Sequence, residues 1–246
     1  ACGIVVHATA GTAALVTALT LGKRRGFPKS ITPPHSPILT MIGASMLWIG
    51  WFGFNAGSAL GANGGAGMAM LVTHISAATA SLVWMFIEWK RFGKPSLIGI
   101  VTGMVAGLAT VTPASGYIGV PGGLILGFFG GLLCYLAVDF IRGKLQIDDS
   151  LDVFAVHGVG GILGTLLVAF LATSTFSGLG LAEGQTAVTQ FFVQLKAVIL
   201  TVVWTSVFTY LILKITSFIV PLRVEEQEEI EGLDLRSHGE KGYHSD

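Results

Sequence analysis

Charge is what this chain has least of. Among its 246 residues, only 11% are Asp, Glu, Lys or Arg, against roughly 25% in a soluble domain. That shortage argues against a water-soluble fold and for one solvated by lipid. The formal charges cancel, 14 basic against 14 acidic, and no basic run occurs, which argues against a nucleic-acid partner. The two cysteines, Cys2 and Cys134, lie in apolar segments without a CxxC spacing. A disulfide framework and a thiolate zinc site are thereby set aside, and both read as small packing residues. An initiator Met and a basic stretch before an apolar core are missing, so the start is not a signal peptide. The chain opens inside an apolar segment, and upstream sequence is expected. No metal or cofactor is called for, and no enzymatic chemistry is read.

What is present is apolar residue and glycine: 52% hydrophobic, 34 glycines and a mean hydropathy of +0.74. A hydrocarbon core of ~30 Å needs about 20 helical residues. Seven segments meet or approach that: Ala1 to Leu21, Ile38 to Leu60, Ala66 to Trp89, Leu97 to Thr112, Pro121 to Ile141, Leu151 to Leu171, and Gln190 to Val220. The fourth should stop at Thr112-Pro113-Ala114-Ser115-Gly116, where Pro and Gly end a helix. The last is too long for a perpendicular crossing and should tilt or overrun the bilayer. Lys and Arg number 4, 0, 3, 0, 2, 0 in the successive loops. By the positive-inside rule the loops after spans one, three and five are cytoplasmic. Two domains are expected, a helix bundle over 1–222 and a cytoplasmic tail over 223–246.

One stretch organises the rest: Asp152-Val153-Phe154-Ala155-Val156-His157-Gly158-Val159-Gly160-Gly161. A weaker copy, Val5-Val6-His7-Ala8-Thr9-Ala10-Gly11, opens the chain, and both contain Val-His-x-x-x-Gly. A charged histidine in hydrocarbon costs about 3 kcal/mol or more, so an intramembrane histidine is a functional hypothesis by default. A buried histidine bonded to a neighbouring helix is the plainer reading of either alone; the shared pattern favours two halves of one site. Asp149 stands near the cytoplasmic mouth and is placed to cap the sixth span, its carboxylate on the orphan amides. Eight residues at 1.5 Å set His157 ~12 Å deeper, near the midplane. His7 lies on a span of opposite direction, as an inverted repeat would produce.

Small residues recur at helical spacing: Gly53 and Gly57, Gly103 and Gly107, Gly123, Gly127 and Gly131, Gly160 and Gly164. They let backbones approach closely. On the second span Leu47, Trp51, Phe54 and Ser58 share one helical face. An aromatic stripe is usually packing, though over a cation path it attracts the cation by ~0.5–2 kcal/mol. Asn55 lies off this face and needs an interhelical bond. His74, in the third span, reads as a packing or hydrogen-bonding residue. The acidic run Glu225 to Glu231 reads as a solvated helix face.

The chain resembles the C-terminal part of an ammonium transporter of the Amt/Rh family. The resemblance rests on Gly3-Ile4-Val5-Val6-His7, Trp51-Phe52-Gly53-Phe54-Asn55-Ala56-Gly57-Ser58, Thr112-Pro113-Ala114-Ser115-Gly116-Tyr117 and the His157 stretch. Leu222-Arg223-Val224, Gly232-Leu233-Asp234 and Ser237-His238-Gly239-Glu240 add to it in the tail. It implies an all-α polytopic bundle, eleven spans as two inverted five-helix repeats plus a last helix, of which this chain supplies the fifth to the eleventh. It implies that His7 and His157 share a hydrogen bond inside a narrow hydrophobic pore, and that Phe54 closes the outer end. Trp51 and Ser58 would belong to the outer side, with Ser58 at the ammonium recruitment site. Leu47, Val105 and Val153 would line the pore, Thr112 would lie nearby, and Asp149 would be the structural acid below His157. It further implies a homotrimer in the cell membrane (the inner membrane if Gram-negative), and a tail that contacts neighbouring subunits and a P-II-type signalling protein. Position 2 is Cys where the family usually has Gly.

Other classes remain open at this point. Twin histidines on glycine-rich helices also suit axial ligation of a haem in a membrane electron carrier. An ammonium sensor, or a related gas channel for carbon dioxide or neutral ammonia, would share much of the sequence.

Overall fold

The computed structural model describes residues 3–242; Cys2, and the tail beyond 242, lie outside the described residues. The described chain is helical. We number the helices α1 (Gly3–Leu21), α2 (Pro37–Gly57), α3 (Gly64–Phe92), α4 (Leu97–Val111), α5 (Val120–Lys144), α6 (Phe154–Leu171), α7 (Ala187–Ser217) and α8 (Glu226–Glu231).

Helix starts follow local capping chemistry. Asn63 Oδ1 accepts from the Ala66 amide at 3.0 Å, drawing α3 back over Gly64 and Gly65. Thr186 and Thr189 form a reciprocal capping box, so α7 begins three residues before the expected Gln190. Its 31 residues span ~46 Å at 1.5 Å per residue, longer than a perpendicular crossing needs.

Six of these helices are long and apolar enough to cross a membrane. The exceptions are the six-residue α8 of the tail and α4. Helix α4 has 15 residues, ~22 Å, and ends at Val111 where Thr112-Pro113 breaks it. It is also the most enclosed helix, with every residue from Ala106 to Val111 buried. Helices α3 and α5 pack closely against it. A Cβ on Gly107 or on Gly127 would run into the Ser76 carbonyl oxygen of α3. Ser76 Oγ in turn donates to the Gly107 carbonyl at 2.8 Å. The glycine seams of α4, α5 and α6 are therefore packing seams. The α2 pair is a correction: among the described residues a Cβ on Gly53 or Gly57 would meet nothing within 4 Å. Helix α2 buries only Ala44, Trp51 and Asn55, so its glycines lie away from the contact stripe.

Some polar groups inside the bundle pair across helices, where lipid offers no partner. Asn55 Nδ2 donates to Thr73 Oγ1 at 2.9 Å, joining α2 to α3. His74 stacks on Trp48 with ring centroids 5.1 Å apart; it is an interhelical packing group here, as read from the sequence.

At one end the tail returns to the bundle. Arg223 donates to the carbonyls of Leu21 and Lys23, the latter at 2.7 Å. Glu229 accepts from Arg223 and from the Arg25 amide, each at 2.7 Å. The tail is thereby pinned to the loop after α1, and the same loop meets the one after α5 through Arg24 and Asp148.

Candidate functional site: a histidine pair between helices

Both histidines sit in π-helical turns, His7 in Gly3–Ala8 and His157 in Phe154–Gly158. Such turns are rare and recur at functional sites. Helices α1 and α6 cross antiparallel at this level, and His7 Nδ1 stands 3.1 Å from His157 Nδ1. The rings stack side by side, centroids 5.2 Å apart and 29° between planes.

His7 is 2% exposed, and its Nε2 is buried without a hydrogen-bond partner among the described residues. Trp51 stacks on the same ring at 5.2 Å and 11°. Phe54 meets it edge-on at 6.2 Å. The indole N–H of Trp51 donates to Thr112 Oγ1 at 2.8 Å, and the Thr112 hydroxyl also lies 2.8 Å from the Leu108 carbonyl. Trp51 therefore stands against the His7 ring, held there by the end of α4.

The remaining candidates fall into three groups. Ser58 caps α2, donates to the Phe54 carbonyl at 2.7 Å, and shares with Phe54 and Thr112 the wall of a cavity of about 190 Å³. Val153 and Asp149 line a second cavity of about 630 Å³, walled also by α1 from Ala13 to Leu21 and by Leu222, Arg223 and Leu233 of the tail. Along α1 and α6 this second cavity lies about one to four turns beyond the histidines. Along α2 and α4 the first lies beyond them the other way. Val105 packs between the two core clusters that hold Trp51 and Val156. Leu47 is 49% exposed and stays outside the cluster around Trp51.

Asp149 is buried, and its Oδ2 accepts from the Phe154 amide at 2.6 Å. The first amide of α6 is thus satisfied by a carboxylate, which also favours the positive helix end. Asp152 adopts a left-handed backbone, φ +55°, and pairs with Arg142 at 2.9 Å. Sequence reasoning missed the Arg24–Asp148 pair. Its signal was available: a basic and an acidic loop assigned to the same side of the membrane.

The haem alternative does not fit this geometry. Axial nitrogens on one iron stand about 4 Å apart, given metal–nitrogen bonds of ~2 Å, with a flat macrocycle between them. These two imidazoles touch directly and lie side by side.

Comparison with known proteins agrees with the fold and extends it. The model of the Ammonium Transporter Family matches residues 1–243. Ammonium transporter Amt1 of Archaeoglobus fulgidus is 48% identical over 244 residues, 98% of this chain and 61% of that protein. The ammonium transporter of Aquifex aeolicus is 44% identical over 242 residues, 98% of this chain and 56% of its own length. This chain thus spans about three-fifths of the curated relatives it matches. Among solved structures, a "Sensor Amt Protein" superposes with a TM-score of 0.87 at 31% identity, over 96% of this chain and 59% of that one. Mep2 of Saccharomyces cerevisiae superposes at 0.79 and 33%, over 92% and 54%.

Proposed function

Because the chain belongs to the ammonium transporter family, we propose that it forms the histidine-bearing part of a pore that conducts ammonium or ammonia across the cell membrane. The observation that carries this reading is the His7–His157 pair with its unpartnered, buried His7 Nε2 under Trp51 and Phe54.

The chemistry follows from two neutral imidazoles. Each carries one N–H and one acceptor nitrogen. With one proton shared between the two Nδ1 atoms, one ring presents an accepting Nε2 and the other a donating Nε2–H. Ammonium arriving at the accepting Nε2 gives up a proton there. The Nδ1 proton crosses to the other ring, and that ring's Nε2 proton leaves, so the pair ends in its mirror tautomer. Ammonia passes the apolar wall uncharged. Potassium is similar in size to ammonium but has no proton to give, and a bare cation pays the full cost of entering hydrocarbon. Selection thus rests on proton donation rather than on ionic radius.

In this reading Ser58 recruits ammonium in the cavity above Phe54, Phe54 gates it, and Leu47, Val105 and Val153 line the apolar path with Thr112 behind Trp51. Asp149 holds the start of α6 below His157. The excess of Lys and Arg in alternate loops supports a cytoplasmic tail and larger cavity. The working assembly is a homotrimer of eleven-span subunits built on inverted repeats, its tail open to a P-II-type partner. The 1–222 bundle carries transport and 223–246 carries regulation.

The test is uptake of methylammonium by cells that lack their own ammonium transporters. The chain is expressed alone and joined to the part of the Archaeoglobus Amt1 that the alignment leaves uncovered. Uptake by the joined form, competed by ammonium, is expected. Specific binding without uptake in either form would replace transport with sensing.

A further inference from the structure

The repeated Val-His-x-x-x-Gly pattern has a geometric meaning at the crossing of α1 and α6. In the first copy the glycine four residues after His7 is Gly11. A Cβ there would collide with the Gly158 amide nitrogen and Cα, and would stand 3.4 Å from the His157 carbonyl carbon. In the second copy the glycine four residues after His157 is Gly161. A Cβ there would stand 2.5 Å from His7 Cβ, 3.2 Å from the Gly3 oxygen and 3.3 Å from the Ala8 nitrogen. Each glycine thus receives the histidine-bearing turn of the other copy. Both of those turns are π-helical, so the two backbones meet where each is locally widened.

We propose that Gly11 and Gly161 are positioning residues that seat each histidine turn against the opposite helix and so set the His7–His157 hydrogen bond. The seating is reciprocal, which is why the motif occurs twice at the same spacing. An added methyl at either position pushes the helices apart by a large part of an ångström. An N···N hydrogen bond at 3.1 Å does not survive much lengthening, because bonds beyond ~3.5 Å are effectively broken. Gly43 and Gly50, on α2, differ: among the described residues a Cβ at either would meet nothing within 4 Å.

This inference rests on the transport reading for its consequence but not for its geometry, and two readouts separate them. Protein labelled with 15N-histidine is studied in lipid bilayers, where a shared proton couples the two Nδ1 nuclei. Among the described histidines, His7 and His157 form a pair whose Nδ1 atoms touch. Gly161→Ala, folded by size-exclusion and thermal unfolding, is expected to lose that coupling and to take up methylammonium at least tenfold more slowly. Gly43→Ala is expected to keep both. Coupling and uptake unchanged in folded Gly161→Ala would overturn the proposal. If Gly161→Ala does not accumulate, Gly11→Ala decides, its Cβ placed 2.3 Å from the Gly158 amide nitrogen and Cα. A lost coupling there supports the seating, and an unchanged one overturns it. A parent protein that shows the coupling but takes up no methylammonium supports the seating while removing the transport reading.

Discussion

The indole N–H of Trp51 donates to the hydroxyl of Thr112 at 2.8 Å, across 61 residues of sequence. That bond ties α2 to the end of α4 and fixes the ring that stacks on His7. Trp51 is 6% exposed, so the N–H has no water to turn to. Thr112→Val keeps the shape and removes the acceptor. It should cost about 1–3 kcal/mol, the penalty for a buried donor left unpaired, and slow methylammonium uptake as Trp51 loosens. Thr112→Ser should restore both. Thermal unfolding in detergent checks the first effect, and an unchanged midpoint for Thr112→Val would count against the bond.

Asp149 accepts from the Phe154 amide at the start of α6, one helical turn before His157. Asp149→Ala should destabilise the protein by about 1 kcal/mol, as loss of a capping acceptor does, and should shift the π turn that carries His157. Asp149→Asn keeps a side-chain oxygen and should lose less. If Ala and Asn behave alike in both unfolding and uptake, the carboxylate oxygen is not what sets this helix start.

Phe54 meets His7 edge-on and lines the cavity that contains Ser58. Phe54→Ala should change the rate of entry while leaving potassium excluded, because exclusion is assigned to the histidines. Flux assays on proteoliposomes with ammonium or potassium gradients compare the two. Potassium flux through the variant would move selectivity from the histidines to the phenyl ring.

Glu229 is held below the ordinary carboxylate range, first by the hydrogen bond from Arg223 and then by that from the Arg25 amide. A lowered folded value means that this contact supports tail docking above the unfolded value and loses that support as pH falls through the folded one. The spacing between spin labels at Lys29 and Gln227, measured by electron paramagnetic resonance, should hold at neutral pH and lengthen as pH falls through the lowered Glu229 value. Glu229→Gln should lengthen it already at neutral pH. No change in that variant would show that the tail is held by other contacts.

The sequence carried those parts of the structure whose causes are local. The Pro113 stop ended α4 at Val111, and Asp149 was placed to meet the first amide of α6. The need of Asn55 for a partner on another helix was readable because an amide in an apolar span cannot go unpaired. The identity of that partner, Thr73, was not, since nothing within α2 specifies the rotation of α3. The position of Trp51 escaped for the same reason: its layer is chosen by an acceptor 61 residues away. The π turns at His7 and His157 have no propensity signature and are made where two helices cross. Gly53 and Gly57 show the opposite failure, a packing pattern at positions where a Cβ would meet nothing within 4 Å among the described residues.

The central claim is that His7 and His157 act as one conducting pair. His157→Ala, in the form that transports, tests it most directly through methylammonium uptake measured beside the oligomeric state. The account predicts uptake reduced to background with the assembly intact. Normal uptake by an intact His157→Ala assembly would contradict it.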